Sequence, residues 1–215
     1  MLSDSYKAQL VDLHRQEVGF GGGSRAEIVA QVVRKLDVVS VSDYGAGKKE
    51  LERRLKVEFG IQVQYLPYDP AFPEYGPAMS ADLVCCIEVL EHIEPEYLGS
   101  VLKDLAHLVR KYGFFTIHCG PSSKMLPDGR NAHLIQQPIS WWLPQISEFF
   151  EVQYLSKTSE SGFAILVIPK DAPQLASDTV DFHVSPSVRR QFATLLHYLR
   201  VSIGRKYRAR LRRVS

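Results

Sequence analysis

The chain has 215 residues, 45% hydrophobic and 23% charged, which suits one packed domain and does not call for two. No apolar run approaches the roughly 20 residues that span a bilayer, and the three cysteines, with Cys85 and Cys86 adjacent inside an apolar run, supply neither a disulfide framework nor a C-x-x-C metal pair. The net charge of +2 is unevenly spread: nine Lys/Arg and no acid follow from Arg189 onward, so setting those nine aside leaves about −7 on residues 1–188.

Helical spacing runs over residues 5–18 and 24–36, divided by FGGGS, with Ser24 placed to cap the second helix. The first segment is polar and lacks a signal-peptide core, which together with reduced, buried cysteines predicts a cytoplasmic protein. VVSVSDYG (38–45) is short and β-branched, as a buried strand is, and KKELERRLKVEF (48–59) reads as a helix. VQYLPYDP (63–70) and ADLVCCIEV (81–89) are the second and third strands. A helix is predicted over 95–112, with Pro95 in its first turn and Leu98, Leu102, Leu105 and Leu108 on one side; GFFTIHCG (113–120) is the fourth strand. PISWWLPQISEFF (138–150) reads as a helix anchored by Trp141 and Trp142, and FEVQYLSKT and GFAILVIPK are separated only by SES. Strands joined so closely are antiparallel.

The alternation predicts an α/β fold: a Rossmann-like, mainly parallel sheet with helices on both faces and a C-terminal antiparallel hairpin. The expected organisation is a helical cap (1–34), the sheet domain (35–170), a linker (171–186) and a basic amphipathic helix (187–215). In that last segment Phe192, Leu195, Leu199, Ile203, Tyr207 and Leu211 form one stripe among arginines, and Gly204 weakens the helix by about 1 kcal/mol relative to Ala. Residues 187–213 are therefore expected to dock on an anionic membrane surface, placing the protein at the inner face of a membrane, or on a protein partner. Self-packing and nucleic-acid contact are the alternatives.

VSDYGAGKKELERRL sets a Gly-x-Gly turn between a strand and a helix, where the backbone approaches a ligand closely and the helix N-terminus adds positive charge. Asp43 precedes the turn, and Asp69 ends the next strand, 24 residues after Gly45, where an acid takes both hydroxyls of a ribose. Lys49 replaces the third glycine that a dinucleotide site uses, and Asp43 would repel a pyrophosphate but attract an ammonium. The pattern favours S-adenosylmethionine over NAD.

DYGAGK, YDP and ADLVCCIEVLEHI, in that order and spacing, resemble the class I S-adenosylmethionine-dependent methyltransferases over residues 35–170. The resemblance implies that Asp43, Gly45, Ala46 and Gly47 face the methionine end. It gives Asp69, with Pro70, the ribose, and lines the adenine and methionine pockets with Met79 to Ala81 and Cys86, Ile87 and Glu88. Lys49 departs from the family's glycine.

Glu88 ends the apolar third strand, and Glu91 and His92 follow at spacings that bring side chains to one helical face. PDGRNAHLIQQPISWW carries His133 in a loop after the next strand, at the same sheet edge, and two carboxylates with two imidazoles there suit a divalent cation. Glu-x-x-Glu-His with a distal His resembles the metal quartet of small-RNA 3′-terminal ribose 2′-O-methyltransferases, and VLEH is shared with ubiquinone-type O-methyltransferases. By that likeness Glu88, Glu91, His92 and His133 hold Mg²⁺ or Mn²⁺. Two other readings stand beside it: a metal-free site in which His133, His92 or Glu88 is the catalytic group, and Glu91–His92 as a simple helix cap. His118 is expected to be packed inside its strand, and Asp128 and Arg130 either touch substrate or form a solvated turn.

The expected activity is O-methylation of a sugar hydroxyl on a glycan or related metabolite. The alternatives are 2′-O-methylation of an RNA 3′ end, less favoured because residues 1–188 are acidic, and a non-catalytic module that keeps the fold.

Overall fold

The structure is a computed structural model and describes residues 2–16 and 22–170. The linker and the basic segment at 187–213 lie outside the described residues. Six strands form one sheet in the order β2-β1-β3-β4-β6-β5: β1 (Ser40–Tyr44), β2 (Gln64–Tyr68), β3 (Ala81–Ile87), β4 (Val109–His118), β5 (Phe150–Ser159) and β6 (Gly162–Pro169). β1 pairs in parallel with β2 and β3, and β3 with β4. β6 runs antiparallel to both β4 and β5, which gives the expected terminal hairpin.

Side chains alternate across a strand, and β3 shows the consequence. All seven of its residues are buried. Val84 and Cys86 join one core cluster, and Leu83, Cys85 and Ile87 join the other. The adjacent cysteines thus point to opposite faces and are both free thiols. One face is covered by α4 (Leu98–Leu108) and α5 (Ile139–Phe149), through Leu98, Leu102, Leu105, Trp142 and Ile146. The other is covered by α2 (Ala26–Lys35) and α3 (Glu50–Val57), through Val29, Val33, Leu51 and Leu55. Trp142 is fully buried, the anchoring role expected of it. No helix among the described residues is long and apolar enough to cross a membrane.

Two local expectations are corrected. Ser24 lies inside a 3-10 turn (Gly22–Arg25), and the residue before α2 is Arg25, which makes no side-chain capping bond. The helix predicted to reach residue 112 stops at Leu108, because Val109 to Tyr112 pair with the start of β3. Lys111 Nζ meets Asp82 Oδ2 at 3.0 Å, and Arg110 donates to the Ser80 carbonyl at 2.8 Å. The chain enters β4 where those partners are in reach.

β1 has β2 on one side and β3 on the other, so the connection direction reverses between β1 and β3. In open α/β sheets the carboxyl ends at such a switch point frame the ligand crevice. Helix α1 (Asp4–Gln16), which belongs to no sheet layer, lies across that edge.

Candidate functional site: a crevice with a carboxylate–imidazole cluster

A crevice of about 620 Å³ opens at the carboxyl ends of β1 to β4. Gly45 and Gly47 line it after β1, Asp69 and Pro70 after β2, and Ile87 and Glu88 after β3; Glu91, His92, His118 and His133 close the far side. Leu2, Tyr6, Lys7 and Leu10 from α1 and its lead-in form a further wall. Of the residues expected to hold the donor, Gly45, Gly47, Asp69, Pro70 and Ile87 are therefore in the crevice wall. Asp43, Ala46 and Cys86 are buried behind it, and Met79 to Ala81 do not line it.

The first loop is shaped for close approach. Gly45 has φ +88°, and a Cβ there would strike the Val89 side chain. Its N–H and that of Ala46 donate to the Tyr68 carbonyl at 2.8 and 3.0 Å, which ties the loop to the end of β2. Lys49, where the resemblance expects glycine, adopts the left-handed conformation itself (φ +58°) and starts α3. The Asp69 carboxylate accepts Gly47 N–H at 2.9 Å and Ala71 N–H at 2.8 Å, so it both braces the loop and faces the crevice. Asp43 is held by the Tyr65 hydroxyl; burial pushes its carboxyl up to about 7, against the lowering effect of that hydrogen bond.

At the other end, Glu91, His92 and His133 each offer a ligand atom, all within 4.8 Å of one another. Glu91 and His92 sit on a 3-10 turn (Leu90–His92) rather than an α-helix. His92 Nδ1 is 2.7 Å from the Ala132 carbonyl, and His133 Nδ1 is 2.7 Å from the Gly120 carbonyl. A carbonyl only accepts, so both Nδ1 atoms carry a proton, and in the neutral rings the lone pair is on Nε2. The rings meet edge to face with centroids 4.7 Å apart. Glu91 has no exposed surface; its Oε1 accepts the His118 backbone N–H at 2.8 Å, and Oε2 has no hydrogen-bond partner among the described residues. Burial pushes this carboxyl up to about 8, against the backbone N–H groups of Glu91 and His118 that pull it down. Burial holds His133 below the ordinary imidazole value, opposed by its bond to Gly120.

Glu88, the fourth expected ligand, does not join this group. It has a left-handed backbone (φ +56°), and its carboxylate is half exposed and paired with Arg25 at 3.4 Å. Asp128 pairs with Arg130 at 2.8 Å and accepts from Gln9 Nε2 of α1 at 3.0 Å, and Arg130 above all holds its carboxyl down at about 2.

His118 lies in the crevice wall, where packing inside the strand was expected. Its place as the last residue of β4, at the same sheet edge as Glu88, is the signal that points there. Tyr6 was also missed. It is fully buried and donates to the His92 carbonyl at 2.7 Å, and Ser3 Oγ donates to Glu94 at 2.7 Å. Nothing in the local pattern of α1 marks a contact so distant in sequence.

No family model matches the chain. A ubiquinone biosynthesis O-methyltransferase of Serratia proteamaculans (strain 568) is 30% identical over 132 residues, 54% of this chain and 53% of that protein. One of the same name from Saccharophagus degradans is 28% identical over 138 residues, 57% of this chain and 56% of that protein. The chain thus spans about half the length of the curated relatives it matches. Among solved structures, the DhpI–SAH complex superposes with a TM-score of 0.51 at 13% identity, over 80% of this chain and 100% of that one. The small RNA methyltransferase HEN1 superposes with a TM-score of 0.52 at 11% identity, over 74% of this chain and 27% of that one. Strand order, crevice and these superpositions together show that the chain has the Rossmann-like fold of the class I S-adenosylmethionine-dependent methyltransferases.

Proposed function

We propose that the protein is an S-adenosylmethionine-dependent O-methyltransferase assisted by a divalent metal ion. Its proposed acceptor is a sugar hydroxyl on a glycan or related metabolite. One observation carries the reading: a fully buried carboxylate with an orphaned oxygen stands beside two imidazoles whose Nδ1–H groups are tied to backbone carbonyls. Metal-ligating histidines are held in this way, and an unpaired buried carboxylate oxygen is costly without a cation. Glu91, His92 and His133 would hold the ion. One carboxylate and two imidazoles favour Mn²⁺, Fe²⁺, Co²⁺ or Zn²⁺ over Mg²⁺.

Gly45, Gly47, Asp69, Pro70 and Ile87 would hold the donor, which supplies an electrophilic methyl group. A bound divalent ion supplies Lewis acidity that lowers the pKa of a hydroxyl beside it. In their neutral forms His92 and His133 would present lone pairs at this edge, and the half-exposed carboxylate of Glu88 is a further group that could take the hydroxyl proton. Leu2, Tyr6 and Leu10, from α1 and its lead-in, line one wall of the crevice and would limit the access of water to a bound donor. The relatives' names support an oxygen acceptor and leave its identity open.

The test is transfer of labelled methyl from S-adenosylmethionine to a panel of methyl hexosides and a short single-stranded RNA with a free 3′ ribose, with and without EDTA and Mn²⁺. The proposal expects hexoside methylation that EDTA abolishes and Mn²⁺ restores. Transfer only to RNA, with a steep salt dependence, makes the RNA 3′ end the acceptor instead. Transfer insensitive to EDTA removes the metal. No thermal stabilisation by S-adenosylmethionine leaves a non-catalytic module.

A further inference from the structure

The loop that carries His133 folds into two arms, residues 120–125 and 131–135, and one side chain joins them. Asn131 Nδ2 donates to the Ser122 carbonyl at 2.9 Å, and Asn131 Oδ1 accepts the Ser122 N–H at 2.9 Å. The amide thus makes the paired bonds that a neighbouring strand would make. The same Oδ1 accepts the backbone N–H of His133 at 3.0 Å. Two N–H groups face one end of the amide and a carbonyl faces the other, so its orientation is set by groups whose roles are fixed. His133 is therefore tied to the first arm twice. Its ring donates to the Gly120 carbonyl at 2.7 Å, and its main chain is held by Asn131, which is anchored on Ser122. The second arm also meets the turn that carries Glu91 and His92. Ile135 N–H donates to the Glu91 carbonyl at 2.9 Å, and the Ala132 carbonyl accepts from His92 at 2.7 Å.

We infer that Asn131 is a positioning residue: by clamping the two arms together it sets where His133 stands relative to His92 and Glu91. Ser122, Lys124 and His133 line the crevice, and Asn131 does not, so it acts only through them. An alanine at 131 takes the partner from Ser122 N–H, from the Ser122 carbonyl and from His133 N–H at once. The arms are then free to part, and the His133 ring loses its fixed distance from His92. A serine at 131 can still accept the His133 N–H within its own turn. Its shorter side chain, with one oxygen, cannot bridge both Ser122 groups, so it separates the clamp from the turn. The consequence for metal affinity rests on the metal-binding reading above; the clamp does not.

The test compares wild type, Asn131→Ala and Asn131→Ser as metal-free proteins, by nuclear Overhauser effects between the ring protons of His92 and His133, whose centroids lie 4.7 Å apart. Titration with Co²⁺ and calorimetry with S-adenosylhomocysteine follow on the same samples. Wild type should show the ring contact. Both variants should lose it and bind Co²⁺ about 10- to 100-fold more weakly. Both should bind S-adenosylhomocysteine as wild type does, because Gly45, Gly47 and Asp69 are untouched. Variants with a lower Tm but an intact ring contact and Co²⁺ affinity overturn the inference, since a brace that only adds stability behaves in that way. Full recovery of both readouts in Asn131→Ser also overturns it, because the turn alone then suffices. Wild type that takes up no Co²⁺ yet shows the ring contact, lost in both variants, removes the metal reading and leaves the positioning role standing.

Discussion

Replacing Gly45 by alanine tests the donor loop on two separable terms. At φ +88° an L-residue carries a left-handed penalty of about 1–2 kcal/mol. The new Cβ also runs into Val89, an overpacking term of about 1–3 kcal/mol. Gly45→Ala should therefore lose about 2–5 kcal/mol in urea unfolding. Val89→Ala in the same chain removes the clash and not the backbone term, so the double variant should recover all but about 1–2 kcal/mol relative to Val89→Ala alone. Calorimetry with S-adenosylhomocysteine should show weakened binding in Gly45→Ala, since Gly45 lines the crevice. A Gly45→Ala protein within about 0.5 kcal/mol of wild type, or a double variant with no relief, refutes the loop geometry.

Asp43 makes a pH-dependent contribution with a definite sign. Its folded value of about 7 lies above the ordinary carboxyl value of 3.8, so the stability it contributes is full below 3.8 and is lost as pH rises through 7, by about 4 kcal/mol. Asp43→Asn keeps an acceptor for Tyr65 and should flatten that fall; urea midpoints at pH 4.5 and 7.5 that decline in parallel with wild type contradict it. By the same linkage Glu91→Gln should raise metal-free stability at pH 7, because the folded carboxyl at about 8 must hold a proton that the unfolded chain has already lost, and should abolish any rise in Tm caused by Mn²⁺. Tyr6→Phe should cost about 1–3 kcal/mol by removing the donor to the part-buried His92 carbonyl, read as a lower Tm. Trp142→Ala should cost about 3–5 kcal/mol in urea unfolding from the core beneath α5, and a loss under about 1 kcal/mol would contradict its burial.

The sheet was legible because its signals are local. ADLVCCI is continuously apolar and becomes a strand buried on both faces, and the brief break between FEVQYLSKT and GFAILVIPK dictates an antiparallel pair. The helix boundary at 108 was not legible, since Arg110 and Lys111 fit a helix as well as a strand until Ser80 and Asp82 are placed beside them. Glu91, His92 and His133 were readable as chemistry at one sheet edge, and they do converge. Glu88 was grouped with them by helical spacing. The chain instead makes a left-handed bend at Glu88 and a 3-10 turn after it, which sends that side chain toward Arg25, 63 residues earlier. Tyr6 meets the site through its bond to the His92 carbonyl, a contact that closes only when distant segments pack and that no local periodicity encodes.

The central claim is that one crevice holds a methyl donor at the first loop and a cation at the far wall. A crystal grown with S-adenosylhomocysteine and Mn²⁺, measured at the manganese absorption edge, tests both halves at once. The account predicts the nucleoside against Gly45, Gly47 and Asp69, with an anomalous peak bounded by Glu91 Oε2, His92 Nε2 and His133 Nε2. A crevice that excludes the nucleoside, or density for it with no peak among those three atoms, contradicts the account.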